Sequence, residues 1–206
     1  MNRLVWCVIL ILFLALPGCS YIGAYVEISK NETISREYLD VLNRWTREKT
    51  LYAQFETKVH ISATMKSEEF DKAYLSEYSR IYLVSDQEKE KNQTLLFDQS
   101  SHFREFIFYA YTPDKESNDF FKEDSIWKIF LVDQKGERSE PVDIRKIEEI
   151  TPVIRGLFPY VNPYYGNFYS VRFSQDQGQE SSEQCTLIFA SILGKVELVW
   201  KGKEEI

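Results

Sequence analysis

Leu51-Tyr52-Ala53-Gln54-Phe55-Glu56-Thr57-Lys58-Val59-His60-Ile61-Ser62-Ala63 alternates apolar and polar residues almost without a break. Leu51, Ala53, Phe55, Thr57, Val59, Ile61 and Ala63 fall on one side of an extended chain, and Tyr52, Gln54, Glu56, Lys58, His60 and Ser62 on the other. Successive side chains of a strand leave opposite faces, so this period of two predicts one long strand with Phe55, Val59 and Ile61 inward. Its polar face predicts an antiparallel sheet with one side wet.

Helical spacing flanks this stretch. Thr33 or Ser35 can cap a helix over about 35–49, with Tyr38, Leu42 and Trp45 on one face. Ser67 can cap a second over about 67–85, where Phe70, Tyr74, Tyr78, Ile81 and Tyr82 form a stripe. Asp86 to Gln93 is almost wholly polar and ends it. Beyond lie apolar runs separated by turn residues: Phe103–Tyr111, Ile126–Val132, Pro141–Lys146, Gly166–Ser174, Gln184–Ser191 and Lys195–Lys201. A one-turn excursion opens at Thr151-Pro152. Seven strands with modest connections predict a mainly β domain with α additions over residues 32–206. The expected form is an antiparallel β-sandwich, immunoglobulin-like in character, with two helices near its N-terminal half.

The start of the chain reads differently. Arg3 is the only charge in residues 1–18 and precedes the apolar run Leu4–Leu16. Thirteen residues fall short of the roughly 20 that a spanning helix needs, and they have the proportions of a secretory signal. Leu16-Pro17-Gly18-Cys19 resembles the lipobox of bacterial lipoproteins, Pro17 being its less common residue. The resemblance implies that the signal peptide, residues 1–18, is removed, that a diacylglycerol joins the Cys19 thiol, and that the new amino terminus is acylated. Several acyl chains anchor a protein stably where one does not. Ser20, rather than Asp, after the cysteine is similar to the outer-membrane sorting rule of enteric-type bacteria. It implies a protein of the cell envelope on the outer membrane, facing the periplasm; the inner membrane and the cell surface are the alternatives. The resemblance covers the signal region alone and names no functional family for the mature domain. Residues 19–31 then form a lipidated, membrane-proximal segment that keeps the domain close to the bilayer.

Without residues 1–18 the side chains carry 24 positive and 32 negative charges. A balance this acidic makes nucleic acid a poor partner. Aromatics at 15% argue for a packed core. Of the three cysteines, Cys7 leaves with the signal and Cys19 is lipidated. Cys185 then has no disulfide partner and reads as a small buried hydrophobe.

The chain has two histidines, His60 and His102, and 8 dispersed glycines, so it offers no paired-His zinc motif, no phosphate loop and no nucleophile elbow. His60 reads as a solvated strand residue. No catalytic residue and no cofactor is expected. One acidic loop is a weak calcium candidate through Asp114, Glu116, Asp119 and Asp124, but it lacks the glycine and glutamate of an EF-hand. The most distinctive segment is 158–173, rich in Tyr and Phe and stiffened by Pro159 and Pro163. Tyrosines on a rigid loop suit recognition as well as core cover, and Tyr160, Tyr164, Tyr165 and Phe168 form the candidate binding surface. The expected function is therefore a non-catalytic binding or structural role in the envelope. The membrane is held through lipid on Cys19, and a further envelope protein or assembly is the partner. The rival reading is a small-ligand, lipid or glycan binder that uses segment 158–173 with the Tyr74/Tyr78 helix face. An envelope enzyme without a recognisable motif comes third.

Overall fold

The computed structural model describes residues 33–85, 87–88, 102–175 and 184–201. The signal peptide, Cys19, the segment 19–31 and most of Asp86–Gln93 lie outside the described residues. The elements below all belong to the compact unit that begins at Arg36.

Helix α1 spans Arg36–Trp45 and buries Tyr38, Leu42 and Trp45, the stripe its spacing requires. It stops four residues short of the expected end at Lys49. Thr46 already pairs with Thr64 as the first residue of strand β1, Thr46–Ala53. The Thr46 hydroxyl lies 2.7 Å from both the Leu42 carbonyl and the Thr64 hydroxyl, so it closes the helix and opens the sheet. Cross-strand pairing of a β-branched segment outweighs helix continuation here.

The thirteen-residue strand predicted over Leu51–Ala63 is not one strand. Gln54 and Phe55 take φ of 54° and 63° and turn the chain, so β1 pairs antiparallel with β2, Glu56–Met65, from Ala53↔Glu56 to Thr46↔Thr64. A two-residue hairpin turn with both central φ positive ordinarily uses Asn-Gly or Asp-Gly. Neither residue carries that signature, and the alternation runs straight through them. Phe55, expected inward, sits fully exposed at the apex. A register shift after Leu51 leaves Lys58 as an extra residue, a bulge that bends the hairpin. Beyond it Val59, Ile61 and Ala63 face the core as expected.

Helix α2, Glu68–Tyr82, starts on Ser67, whose hydroxyl accepts from the Phe70 amide at 3.1 Å, and ends on Leu83 at φ 52°. The remaining elements are β3 (Phe103–Tyr111), β4 (Lys128–Asp133), β5 (Arg138–Ser139), β6 (Asp143–Ile147), α3 (Pro152–Leu157), β7 (Asn167–Ser174), β8 (Cys185–Ser191) and β9 (Gly194–Trp200). They build two open antiparallel sheets, β1-β2-β3-β7-β6 and β5-β4-β8-β9. The protein is thus mainly antiparallel β with three helices, and carries nine strands among the described residues where seven were expected. None of the described helices is long and apolar enough to cross a membrane.

One face of each sheet meets the other. Phe106 lies 5.1 Å from Trp200 and Phe108 5.0 Å from Phe189, ring to ring, and the Cys185 thiol donates to the Met65 sulfur at 3.8 Å. Segment 112–125, expected to be a polar loop, sends Phe120 into this core, where it stacks on Trp127 and touches Phe108, Tyr169 and Phe189. Asn118 is buried beneath it, donating to the Ala110 carbonyl at 2.7 Å and accepting from the Tyr169 hydroxyl.

The opposite face of the larger sheet, expected to be wet, is largely covered. α1, α2 and the turn after α3 lie on it. Tyr38 donates to the Leu157 carbonyl at 2.9 Å, and Phe158 packs among Phe70, Tyr74 and Phe168. This third layer explains why Thr64 is buried although it points away from the other sheet. Charges border the layer where α2 begins. Lys66 bridges Glu105 at 3.0 Å and Asp71 at 4.0 Å, and Arg172 reaches Glu105 at 3.4 Å.

Candidate functional site

Strand register decides which loops share an end of the molecule. His60 pairs with Tyr111, Ala110 with Asn167, Lys128 with Ala190 and Ser191 with Gly194. Leu51 closes on Gly194, where an added Cβ would come within 3.0 Å of its side chain. The turn 54–55, the segment 112–127, the turn 162–166 that leads into β7 and the turn 192–193 therefore all lie at one end.

The candidate binding surface on 158–173 splits in two. Tyr164 and Tyr165 are 76% and 64% exposed, while Phe168 is 2% exposed and belongs to the core. Tyr160 lies between these extremes. Its hydroxyl hydrogen-bonds the Thr64 hydroxyl at 2.8 Å, and burial pushes that phenol well above its ordinary range. Phe168 follows from strand parity: it pairs with Tyr109 in β3 and lies beneath Phe158 and Tyr160. The four residues thus form an exposed pair, Tyr164 and Tyr165, and a pair packed on the sheet, half-buried Tyr160 and buried Phe168.

The exposed pair is held firmly. The Asn162 side chain accepts from the Tyr164 amide at 3.1 Å, and its carbonyl accepts from the Tyr165 and Gly166 amides at 3.3 and 3.2 Å. Gly166 then passes so close to β3 that a Cβ would stand 2.3 Å from the Ala110 carbonyl oxygen. No larger residue fits there without moving backbone. A pinned turn presents two tyrosines at low entropic cost.

The α2 tyrosines named in the rival reading do meet this segment. Tyr74 stacks on Phe158 at 6.0 Å and continues through Tyr78 at 6.4 Å to Tyr82 at 4.6 Å, so a row of rings runs outward along the helix. This row leans on Phe158 of the buried half rather than on Tyr164 and Tyr165.

The acidic loop is organised by its own turns. Asp114 accepts from the Glu116 amide and the Ser117 hydroxyl, which holds its carboxyl below its ordinary value. Asp119 accepts from Ser125 at 2.9 Å. Asp114, Glu116, Asp119 and Asp124 do not converge, and among the described residues no group of three or more His, Cys, Asp or Glu is placed to hold a metal ion. His60, read as solvated, is instead half-buried between the Thr50 and Ser62 hydroxyls at 2.8 and 3.1 Å. Ser62 itself is buried. Burial pushes the Cys185 thiol up to about 11, away from the thiolate that nucleophilic chemistry uses.

Sequence reasoning missed Phe55 and Ile192 as surface features. Phe55 is fully exposed and Ile192 91% exposed, each at the apex of a hairpin turn. For Phe55 the available signal was a hairpin-length spacing hidden inside unbroken alternation. No protein family matches the chain, and neither a curated protein nor a solved structure is significantly similar to it.

Proposed function

We propose that this protein is a lipid-anchored component of a bacterial cell envelope with a non-catalytic binding role, held to its membrane through Cys19 and docking an envelope protein through Tyr164 and Tyr165. The anchor rests on the lipobox resemblance of Leu16-Pro17-Gly18-Cys19 and the short apolar run before it. The docking role rests on one observation: between the buried residues Val161 and Phe168, two tyrosines stand out on a turn that Asn162 and Gly166 fix in place. The facing sheets, packed through Phe106 with Trp200 and Phe108 with Phe189, support the reading of a sandwich of immunoglobulin-like character, elaborated by helices on one outer face.

Joint replacement Tyr164→Ser and Tyr165→Ser tests the docking surface. Both side chains are mostly in water, so the melting temperature of the full-length protein should stay within a few degrees. Co-purification of its envelope partner from cross-linked cells should be lost. Retained co-purification rejects the surface, and a large drop in melting temperature shows that the pair is structural. Cys19→Ala tests the anchor separately, because it should abolish labelling by a fatty-acid analogue.

A further inference from the structure

The β1–β2 hairpin outruns its sheet. The last pair between β2 and β3 is His60↔Tyr111, and Val59 next to it is still buried, so Glu56–Lys58 and their β1 partners continue past the core as a short two-stranded arm. Three residues of strand extend this arm by about 10 Å. At its apex the chain places Phe55 fully in water, with Tyr52 67% exposed beside it. The apex is also held in left-handed backbone at both Gln54 and Phe55. Left-handed conformation is unfavourable for a bulky residue and comfortable for Asn or Gly. The hairpin turns at Gly136 and Gly194 place glycine at positive φ, and Leu83, which ends α2, is the third described non-glycine residue that takes it. A residue that strains the turn and exposes a phenyl ring has no folding reason to be there.

We propose that this arm is a membrane contact, in which Phe55, flanked by Tyr52, enters the interfacial region of the bilayer that holds the lipid anchor. The inference rests on the anchoring reading above. Cys19 and Ser35 are 16 positions apart, which limits the reach from bilayer to domain to at most about 55 Å. A single aromatic apex does not hold a free protein on a membrane. For a tethered one the second contact is effectively intramolecular, and a weak interaction then suffices to orient the domain. The chemistry fits a bilayer interface better than a protein pocket. The apex is convex and isolated, needs no complementary shape, and pairs a phenyl ring with a tyrosine whose hydroxyl can stay at headgroup depth. The charges next to it in the hairpin, Glu56 and Lys58, pair with each other at 2.7 Å. Tyr164 and Tyr165 sit further back on the same end, where a partner held in the same membrane would meet them.

The test uses the full-length lipidated protein in phosphatidylcholine vesicles that carry a shallow spin-labelled lipid. A polarity-sensitive probe is placed on Gln54→Cys, which leaves Phe55 in position, and in a second preparation on Lys135→Cys in the turn at the opposite end. Cys185 is buried and will not compete for label. Spin label should quench the probe at 54 several-fold more than the probe at 135. Adding Phe55→Ser should bring the two to the same level without altering the melting temperature. Equal weak quenching at both positions, in protein that still floats with the vesicles, overturns the proposal and leaves the anchor intact. Protein that does not float overturns both. A probe that stays aqueous on vesicles, while a photo-crosslinker at 54 captures an envelope protein in cells, replaces the membrane by a protein partner.

Discussion

The two ends of β2 break the usual rule of burial in opposite ways. Where the strand begins, at the Gln54–Phe55 turn, a large apolar side chain stands in water. Where it finishes, at Met65, Lys66 and Ser67, charged groups are drawn into the protein: the side chains of Lys66, Asp71 and Glu105 keep only about a fifth or less of their surface. The second inversion is compensated in part on the spot. Lys66 bridges both carboxylates, Arg172 adds to Glu105, and Ser67 caps the helix that carries Asp71. The first is compensated by nothing among the described residues. A buried charge with its partners beside it is a structural device. An exposed phenyl ring on left-handed backbone is what the proposed membrane contact would account for.

The reference for both ends is the middle of the strand, and the largest effect belongs there. Val59 is fully buried between the sheets. Val59→Asp puts an unpaired carboxylate into that core and should cost at least about 3 kcal/mol, enough to remove most of the cooperative melting transition. Lys58→Asp next to it lies on the bulge, where the Lys58 amine pairs with Glu56. It should cost less than about 1 kcal/mol. Comparable damage from both would show that the arm is not a hairpin rooted in the core.

The charged end carries the next effect, and its sign depends on pH. Burial raises the Asp71 carboxyl up to about 6; Lys66 opposes the rise and Glu105 adds to it. The folded protein therefore holds this proton more tightly than the unfolded chain. Stability from that group is complete below the unfolded range near pH 4 and is lost as pH rises through about 6. Asp71→Asn mimics the protonated form, so it should stabilise by about 2 kcal/mol above pH 7 and change little below pH 4. Denaturant titrations at pH 4 and pH 7.5 check this. A loss at pH 7.5 would mean that the ion pair with Lys66 outweighs burial. Ser67→Ala at the same end removes one helix cap and should cost about 1 kcal/mol at either pH.

The contrast between the two ends also explains what was readable from the residues. The Ser67 cap and the Tyr38-Leu42-Trp45 stripe are local chemistry: cap and stripe need only spacings of three and four, and both stand as expected. Phe103–Tyr111 is a strand over the residues its composition marks. The Gln54–Phe55 turn was illegible because positive φ leaves no trace in an apolar–polar pattern unless glycine, asparagine or aspartate announces it. Phe120 was hidden in an acidic loop because its burial is decided by Phe108, Tyr169 and Phe189, none of them close to it in the chain. The candidate surface met the same limit. Composition alone cannot tell Tyr164 and Tyr165 from Phe168, since only the pairing of β7 with β3 sends one into the core and leaves the others outside.

The smallest effect has the opposite sign and bears most directly on the comparison. If Gln54 and Phe55 are retained for contact rather than for folding, replacing both by the residues that such a turn favours should improve the fold. Gln54→Asn with Phe55→Gly relieves left-handed strain at two positions and removes an exposed phenyl ring. Part of that gain returns as the greater freedom of glycine in the unfolded chain. A net stabilisation of about 0.5–1 kcal/mol remains, which for a domain of this size raises the melting temperature by about 2–4 °C. The turn at Gly136 supplies the internal control. There φ is 83° on glycine, and Asp133 accepts from the Lys135 and Glu137 amides at 2.8 Å each, so residue type and conformation already agree. Gly136→Val should destabilise by about 1 kcal/mol, the mirror image of the gain at the arm. If the Asn-Gly variant melts lower than the natural protein, Phe55 supports the fold through contacts of its own, and its exposure has a structural cause. If it melts higher, and Phe55→Gly added to the probe-bearing Gln54→Cys protein abolishes the quenching, the arm gives up stability for a contact that folding does not need.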